Sequence, residues 1–204
     1  SFGSVPVGQT SRRLSFFVMV LCYSRLMYVE FTVSQTMEHF LACHQHAFEA
    51  FGGVPQTVMV DNLKSAVLKR ALGEAPVFNP KYAAFSEHNG FRIVPCNVGK
   101  GNEKGRVENG VGYVKKNFLA GLDIVDFKRL APAAKHWLET IANVRVHGET
   151  RTPPVEMWQR EKPHLSPLPL NPFDIATVSE VRASRQFRVT LDTNRYSVPA
   201  HLAG

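Results

Sequence analysis

Residues 14–22, LSFFVMVLC, form a nearly unbroken run of apolar, β-branched and aromatic side chains, and LMYVEFTV at 26–33 follows after only Tyr23, Ser24 and Arg25. The first run is too short to span a bilayer. It also follows two arginines and is not trailed by a small-residue cleavage pattern, so it reads as neither a membrane span nor a leader. Two such runs joined by three residues predict a β-hairpin in a sheet covered on at least one face. SVPVG at 4–8 is the stub of a strand before them.

The rest of the chain has to supply that cover. At 204 residues it can bury one substantial core with a smaller appended element. Its 44% hydrophobic and 20% charged residues fit a packed globular protein rather than a disordered one. Lys and Arg outnumber Asp and Glu 24 to 17, and the resulting +7 tilts the choice of partner toward polyanions such as nucleic acid. Cys22, Cys43 and Cys96 are far apart and odd in number, which argues against a disulfide framework and for a reducing cytoplasm.

SQTMEHFLACHQHAFEAFGG predicts an amphipathic helix that starts at Ser34 and stops at Gly52 and Gly53. QTVMV at 56–60 is a short buried strand running into Asp61 and Asn62. No element is assigned over 63–79. PKYAAFSEHNG at 80–90 reads as a helix opened by proline, and FRIVPC as the strand after it. A glycine-rich loop over 97–101 leads into a helix holding Glu108, and a further helix spans 126–147 with Pro132 in its early turns or as a break. Thr152 is the expected N-cap of a two-turn helix. HLSPLPLNP is a proline-rich connector, and the tail alternates apolar and polar residues around DTNR as a β-hairpin would. The expected organisation is a core over 1–150, a short helix and linker over 151–172, and a partial β-barrel-like domain over 173–204.

Taken singly, the acidic residues have ordinary readings. Asp61 is placed to cap a helix and Glu108 to pair with Lys104. Asn62 is balanced between orienting a substrate and closing an Asx turn. Together, an Asp-Asn pair closing an apolar strand and KGRVE ending 47 positions after Asp61 form a specific combination. VMVDNLKSAV and HNGFRIVPCNVGKGNEKGRVENGVGYVKKNFL resemble the core of DDE transposases and retroviral-type integrases, most of all the IstA-type transposases of bacterial insertion sequences. RVHGETRTPPVEMW continues the resemblance past the core.

That resemblance implies an α/β, ribonuclease-H-like fold, with a mixed five-stranded sheet flanked by helices. It also implies a polynucleotidyl transferase that cuts and joins DNA strands with two Mg²⁺ or Mn²⁺ ions, whose carboxylate ligands here are Asp61 and Glu108. Lys100, Lys104, Arg106, Lys115 and Lys116, with Asn62, are the expected DNA contacts. At about 100° per residue, Lys115 falls within roughly 20° of Glu108 on one helix face. The implied partners are transposon ends and target DNA, further copies of the chain and an ATPase helper protein, with no membrane, in a bacterial cytoplasm. The first acid of such cores would fall at Ser1, so the aspartate has been replaced or the sequence begins one residue late, and this chain is expected to be impaired. The alternatives are a noncatalytic DNA-binding or assembly module of the same fold and a ribonuclease-H-like nuclease. A solvated helix face remains the competing reading for the lysines.

Three other features have ordinary readings. His39, Cys43 and His46 share a helix face at metal-ligand spacing but lack a fourth ligand, so a zinc site is disfavoured. GKGNEKG matches no Walker pattern. Trp137 and Trp158 are expected to pack helices.

Overall fold

The computed structural model describes residues 2–7, 10–60, 66–69, 76–96, 109–120, 122, 126–176, 183–184, 186–191, 194–197 and 199. Strand β1 (Phe2–Val7) pairs antiparallel with β2 (Thr10–Val20), which pairs antiparallel with β3 (Met27–Thr32) from Ser15↔Thr32 to Val20↔Met27. The predicted hairpin is therefore present, with β2 beginning four residues earlier than its apolar run. Its turn is closed by Leu21 N–H on Leu26 C=O at 2.9 Å, with Arg25 in the left-handed region at φ 64°.

Strand alternation explains why β2 reads as continuously apolar. Leu14, Phe16, Val18 and Val20 face one hydrophobic cluster with Met27, Val29 and Phe31, while Phe17, Met19 and Tyr28 face clusters on the other side. Both faces are covered, so both sets of positions must be apolar.

Helix α1 (Met37–Phe51) buries Leu41, His44, Ala47, Phe48 and Phe51 and ends at Gly52, whose φ of 75° suits a left-handed cap. Its N-cap is Thr36 rather than Ser34, whose hydroxyl instead accepts the Thr36 N–H at 3.4 Å. Strand β4 (Thr57–Val60) runs parallel to β7 (Arg92–Pro95). Between them come the hairpin β5 (Val67–Lys69) and β6 (Val77–Phe78), in the stretch left unassigned by sequence, and helix α2 (Pro80–Asn89). Helix α3 covers residues 109–114 and continues as a π-helical turn, Lys115–Leu119. Helix α4 (Leu130–Trp137) follows a 3₁₀ turn capped by Asp126 and runs into a second π turn, Leu138–Ala142, so the expected 126–147 helix is shorter and built from three helical types. Pro132 sits inside its first turn, where a missing N–H costs nothing. Helix α5 (Pro154–Glu161) has Pro153, not Thr152, at its N-cap. Strands β8 (Arg188–Leu191) and β9 (Asn194–Ser197) form the expected tail hairpin.

Among the described residues β1–β2–β3 and β4–β7 are separate hydrogen-bonded sheets, so a single five-stranded sheet is not joined there. The stretch after 150 is bound to the core. Trp158 Nε1 donates to Phe51 C=O at 2.9 Å, Ser24 N–H to Glu161 Oε2 at 3.0 Å, and Val54 and Ser166 exchange backbone bonds at 2.8 Å. Farther on, Lys81 Nζ donates to Ile175 C=O at 2.7 Å and His88 Nε2 to Asn171 C=O at 2.9 Å. No helix among the described residues is long and apolar enough to cross a membrane.

Candidate active site

The parallel pair β4–β7 sets the frame. Val60 lies opposite Pro95, and Cys96 N–H donates to Val60 C=O at 3.0 Å, so the two strands end level with each other. Val58, Val60 and Cys96 are buried. The chain continues from Val60 directly into Asp61 and Asn62, at the carboxyl ends of parallel strands, where open α/β sheets gather their functional loops. Asp61, Asn62, Lys100, Lys104, Arg106 and Glu108 lie outside the described residues, as does Ser1.

The other approach to the site is the start of α3. Gly110, two residues beyond Glu108, is buried on β2: a methyl group built on it would lie 3.3 Å from Val20 Cγ2, 3.6 Å from Val18 Cγ1 and 3.7 Å from Met27 Cε. A Cβ here would press on the Val20 side chain, and glycine lets the helix sit this close to β2 without that pressure. Val114 and Phe118, further along α3, are buried in the same cluster as Leu14 and Phe31. On the opposite face of β2, Met19 packs against the cluster that contains Val58 and Val60. The segment 18–20 of β2 is thus the common support of the strand that precedes Asp61 and the helix that follows Glu108.

Lys115 and Lys116 are exposed on α3. They open the π turn, in which Ala120 N–H donates to Lys115 C=O at 3.0 Å. The 100° spacing used for Lys115 therefore holds only up to the point where the turn begins.

His39, Cys43 and His46 of α1 have separate partners. His39 Nδ1 meets Thr36 Oγ1 at 2.9 Å, whereas His46 Nδ1 meets Glu30 Oε2 at 3.0 Å. The buried Cys43 thiol is pushed up to about 12, first by desolvation and then by the Glu30 carboxylate, to which it hydrogen-bonds. Tyr28 OH also donates to Glu30, at 2.8 Å, and burial raises its pKa well above the usual tyrosine value. Among the described residues no group of three His, Cys, Asp or Glu side chains is placed to hold a metal. His44, left without a role by the sequence, is wholly buried. Burial lowers its pKa to about 4, against the opposing hydrogen bond to Phe40 C=O. Trp137 packs on Tyr113 and Phe118, and Trp158 on α1, as packing residues should.

Residues 2–100 match the family model of the integrase core domain, and residues 168–204 match that of the Mu transposase C-terminal domain. The chain also superposes on a chain from the cryo-electron microscopy structure of the simian T-cell lymphotropic virus intasome in complex with PP2A regulatory subunit B56 gamma, with a TM-score of 0.54 and 16% identity, covering 98% of this chain and 74% of that one. The fold is therefore that of an integrase-like α/β core, and residues 2–100 belong to the integrase core domain family. The chain is similar to insertion-sequence transposases of the IS21 type. It is 32% identical to the transposase for insertion sequence element IS21 of Pseudomonas aeruginosa, over 100% of this chain and 53% of that protein. It is 33% identical to the IS21-like transposase of Bacteroides fragilis, over 93% of this chain and 36% of that protein. The chain spans about half or less of the length of these relatives.

Proposed function

We propose that this chain is the catalytic-core part of an insertion-sequence DNA transposase, a polynucleotidyl transferase that cuts and joins DNA strands at the element's ends. The observation that carries this reading is the shared support on β2, on which the strand leading to Asp61 and the helix following Glu108 both pack, together with the match of residues 2–100 to the integrase core. The donor chemistry fits divalent cations: Asp61 and Glu108 offer hard carboxylate oxygens suited to Mg²⁺ or Mn²⁺. When bound, two such ions stabilise negative charge on the attacking and leaving oxygens of a phosphodiester. Asp61 and Glu108 would hold them, while Asn62, Lys100, Lys104, Arg106, Lys115 and Lys116 would bind and orient DNA through its phosphates.

The same reading assigns to the whole protein the transposon ends and target as substrates, assembly of several copies on DNA, an ATPase helper, and completion of the five-stranded sheet. A strand-transfer assay on DNA carrying the element's ends, titrated with Mg²⁺ or Mn²⁺, tests it. Asp61→Asn and Glu108→Gln should each abolish cutting and joining while leaving DNA binding in place. The second reading is a noncatalytic DNA-binding module of the same fold. DNA binding by the unaltered protein with no metal-dependent cutting would select that reading. Cutting without joining would select a nuclease.

A further inference from the structure

The turn of the β2–β3 hairpin and the loop between α4 and α5 meet in a basic cluster that the active site does not use. Arg25, left-handed at φ 64°, has a side chain only 10% exposed. Its Nη1 donates to Cys22 C=O and its Nη2 to Glu149 Oε1 at 2.9 Å, while its buried Nε has no hydrogen-bond partner among the described residues. Arg145 lies with its guanidinium carbon 3.8 Å over the Tyr113 ring of α3 and donates Nη1 to Ala142 C=O. The loop itself is tightly hydrogen-bonded: His147 N–H donates to Thr152 C=O at 3.3 Å and Arg151 N–H to His147 C=O at 2.8 Å, with Arg151 left-handed at φ 55°. Glu149 N–H donates to His147 Nδ1 at 3.3 Å, which leaves Nε2 to carry the proton of the neutral ring. Burial, and then the charges of Arg145 and Arg25, lower the His147 pKa.

The Glu149 carboxylate thus holds the Arg25 guanidinium, and that carboxylate is 62% exposed while the guanidinium it touches is nine-tenths buried. A buried cation with an unsatisfied donor is costly unless an anion completes it. An exposed, singly attached glutamate is a weak and replaceable occupant.

We propose that Arg25, Arg145 and the 147–151 loop form a phosphate seat for the DNA backbone, which Glu149 occupies in the free chain and leaves when DNA binds. The Arg145 stack on Tyr113 joins this seat to α3, the helix bearing Lys115 and Lys116, so a bound duplex could run from those lysines to the hairpin turn. The proposal rests on the DNA transposase reading for the identity of the anion. It does not rest on that reading for the existence of the seat.

The test measures binding of a short fluorescent DNA duplex over a series of salt concentrations for the unaltered chain, Arg145→Gln, Glu149→Gln and the charge-matched control Glu139→Gln, with folding checked by circular dichroism. In parallel, the arginine Nε–H resonances are followed by NMR during titration with inorganic phosphate against chloride of equal ionic strength. Arg145→Gln should weaken the duplex about tenfold and lower the salt slope by about one. Glu149→Gln should tighten binding about threefold, beyond any gain from Glu139→Gln, and Arg25 Nε–H should move with phosphate. Duplex binding left unchanged by Arg145→Gln, or an equal gain from Glu139→Gln and Glu149→Gln, overturns the seat and leaves the transposase reading standing. If no variant binds the duplex but the Arg25 resonance still follows phosphate, the anion seat stands and the DNA reading falls. An Arg25 resonance that ignores phosphate overturns the seat.

Discussion

The Asn143 carboxamide pairs with both backbone groups of Met27, accepting from its N–H and donating to its C=O, each at 2.9 Å. A side chain 116 positions away thereby takes the place of a neighbouring strand at the outer side of β3, while its own C=O accepts Val155 N–H at 3.0 Å and ties in α5. Asn143→Ala leaves two partly buried backbone groups unpaired and should cost about 1–3 kcal/mol. Asn143→Asp should cost more, because it sets a partly buried carboxylate oxygen against the Met27 carbonyl oxygen. Urea unfolding midpoints measure both, and an Ala variant as stable as the parent would show that water satisfies β3 equally well.

Gly110 and Gly112 make a matched pair on α3. Gly110→Leu forces side-chain atoms into Val20 and Val18 and should destabilise the fold by about 1–3 kcal/mol. At Gly112 no described residue lies within 4 Å of a built Cβ, so Gly112→Ala should stabilise the helix by about 0.5–1 kcal/mol. Thermal unfolding of the two variants reads the contrast, and equal shifts would mean that α3 does not sit on β2 as described.

His44 gives the fold an acid-sensitive core. Its ring lies between Phe17, Phe40, Phe48, Tyr82 and Phe85, donates Nδ1–H to Phe40 C=O at 2.8 Å and meets Tyr82 OH at 3.3 Å through Nε2. The folded pKa is lowered from 6.5 to about 4, so the unfolded chain takes up the proton first. Stability is fully present above about pH 6.5 and is lost as pH falls toward 4, by about 3 kcal/mol in all. Unfolding free energies across that range should show the slope, and His44→Phe should remove this contribution. A slope unaltered by that substitution would assign the acid sensitivity to other groups.

Lys115 tests the proposed DNA face of α3. Lys115 is exposed, and Lys115→Glu should leave the domain folded by circular dichroism. DNA affinity at moderate salt should fall, since a phosphate contact becomes a repulsion. Fluorescence anisotropy at two salt concentrations decides the matter, and undiminished affinity would make the lysine ordinary solvated surface.

What the sequence disclosed follows from how local each signal is. The hairpin of β2 and β3 and the stop of α1 at Gly52 were legible because each is written in a few adjacent residues. The start of α1 was misplaced because Ser34, Gln35 and Thr36 all precede the helix and two of them carry a capping hydroxyl. β5 and β6 escaped assignment because strands of three and two residues are too short to establish an alternation. The π turns at Lys115–Leu119 and Leu138–Ala142 leave no compositional mark, since they arise from how α3 and α4 pack. The pairing of Asp61 with Glu108 comes from the family pattern alone, and both residues lie outside the described ones. The Arg25, Arg145 and Glu149 cluster was not legible, because Arg25 is 120 or more positions from the other two and each looks like ordinary surface charge.

The tie from Trp158 to Phe51, with the Val54–Ser166 bridge beside it, bears on how the molecule can be dissected. A scissor placed at residue 150 would not fall in a tether. It would strip the indole from the end of α1 and bare Leu21, Leu26 and Phe51, which share that cluster with Val155 and Leu165. Any trimmed version of this core should therefore keep its chain at least through the lysine and histidine contacts to Ile175 and Asn171, or risk a sticky remnant in place of a domain.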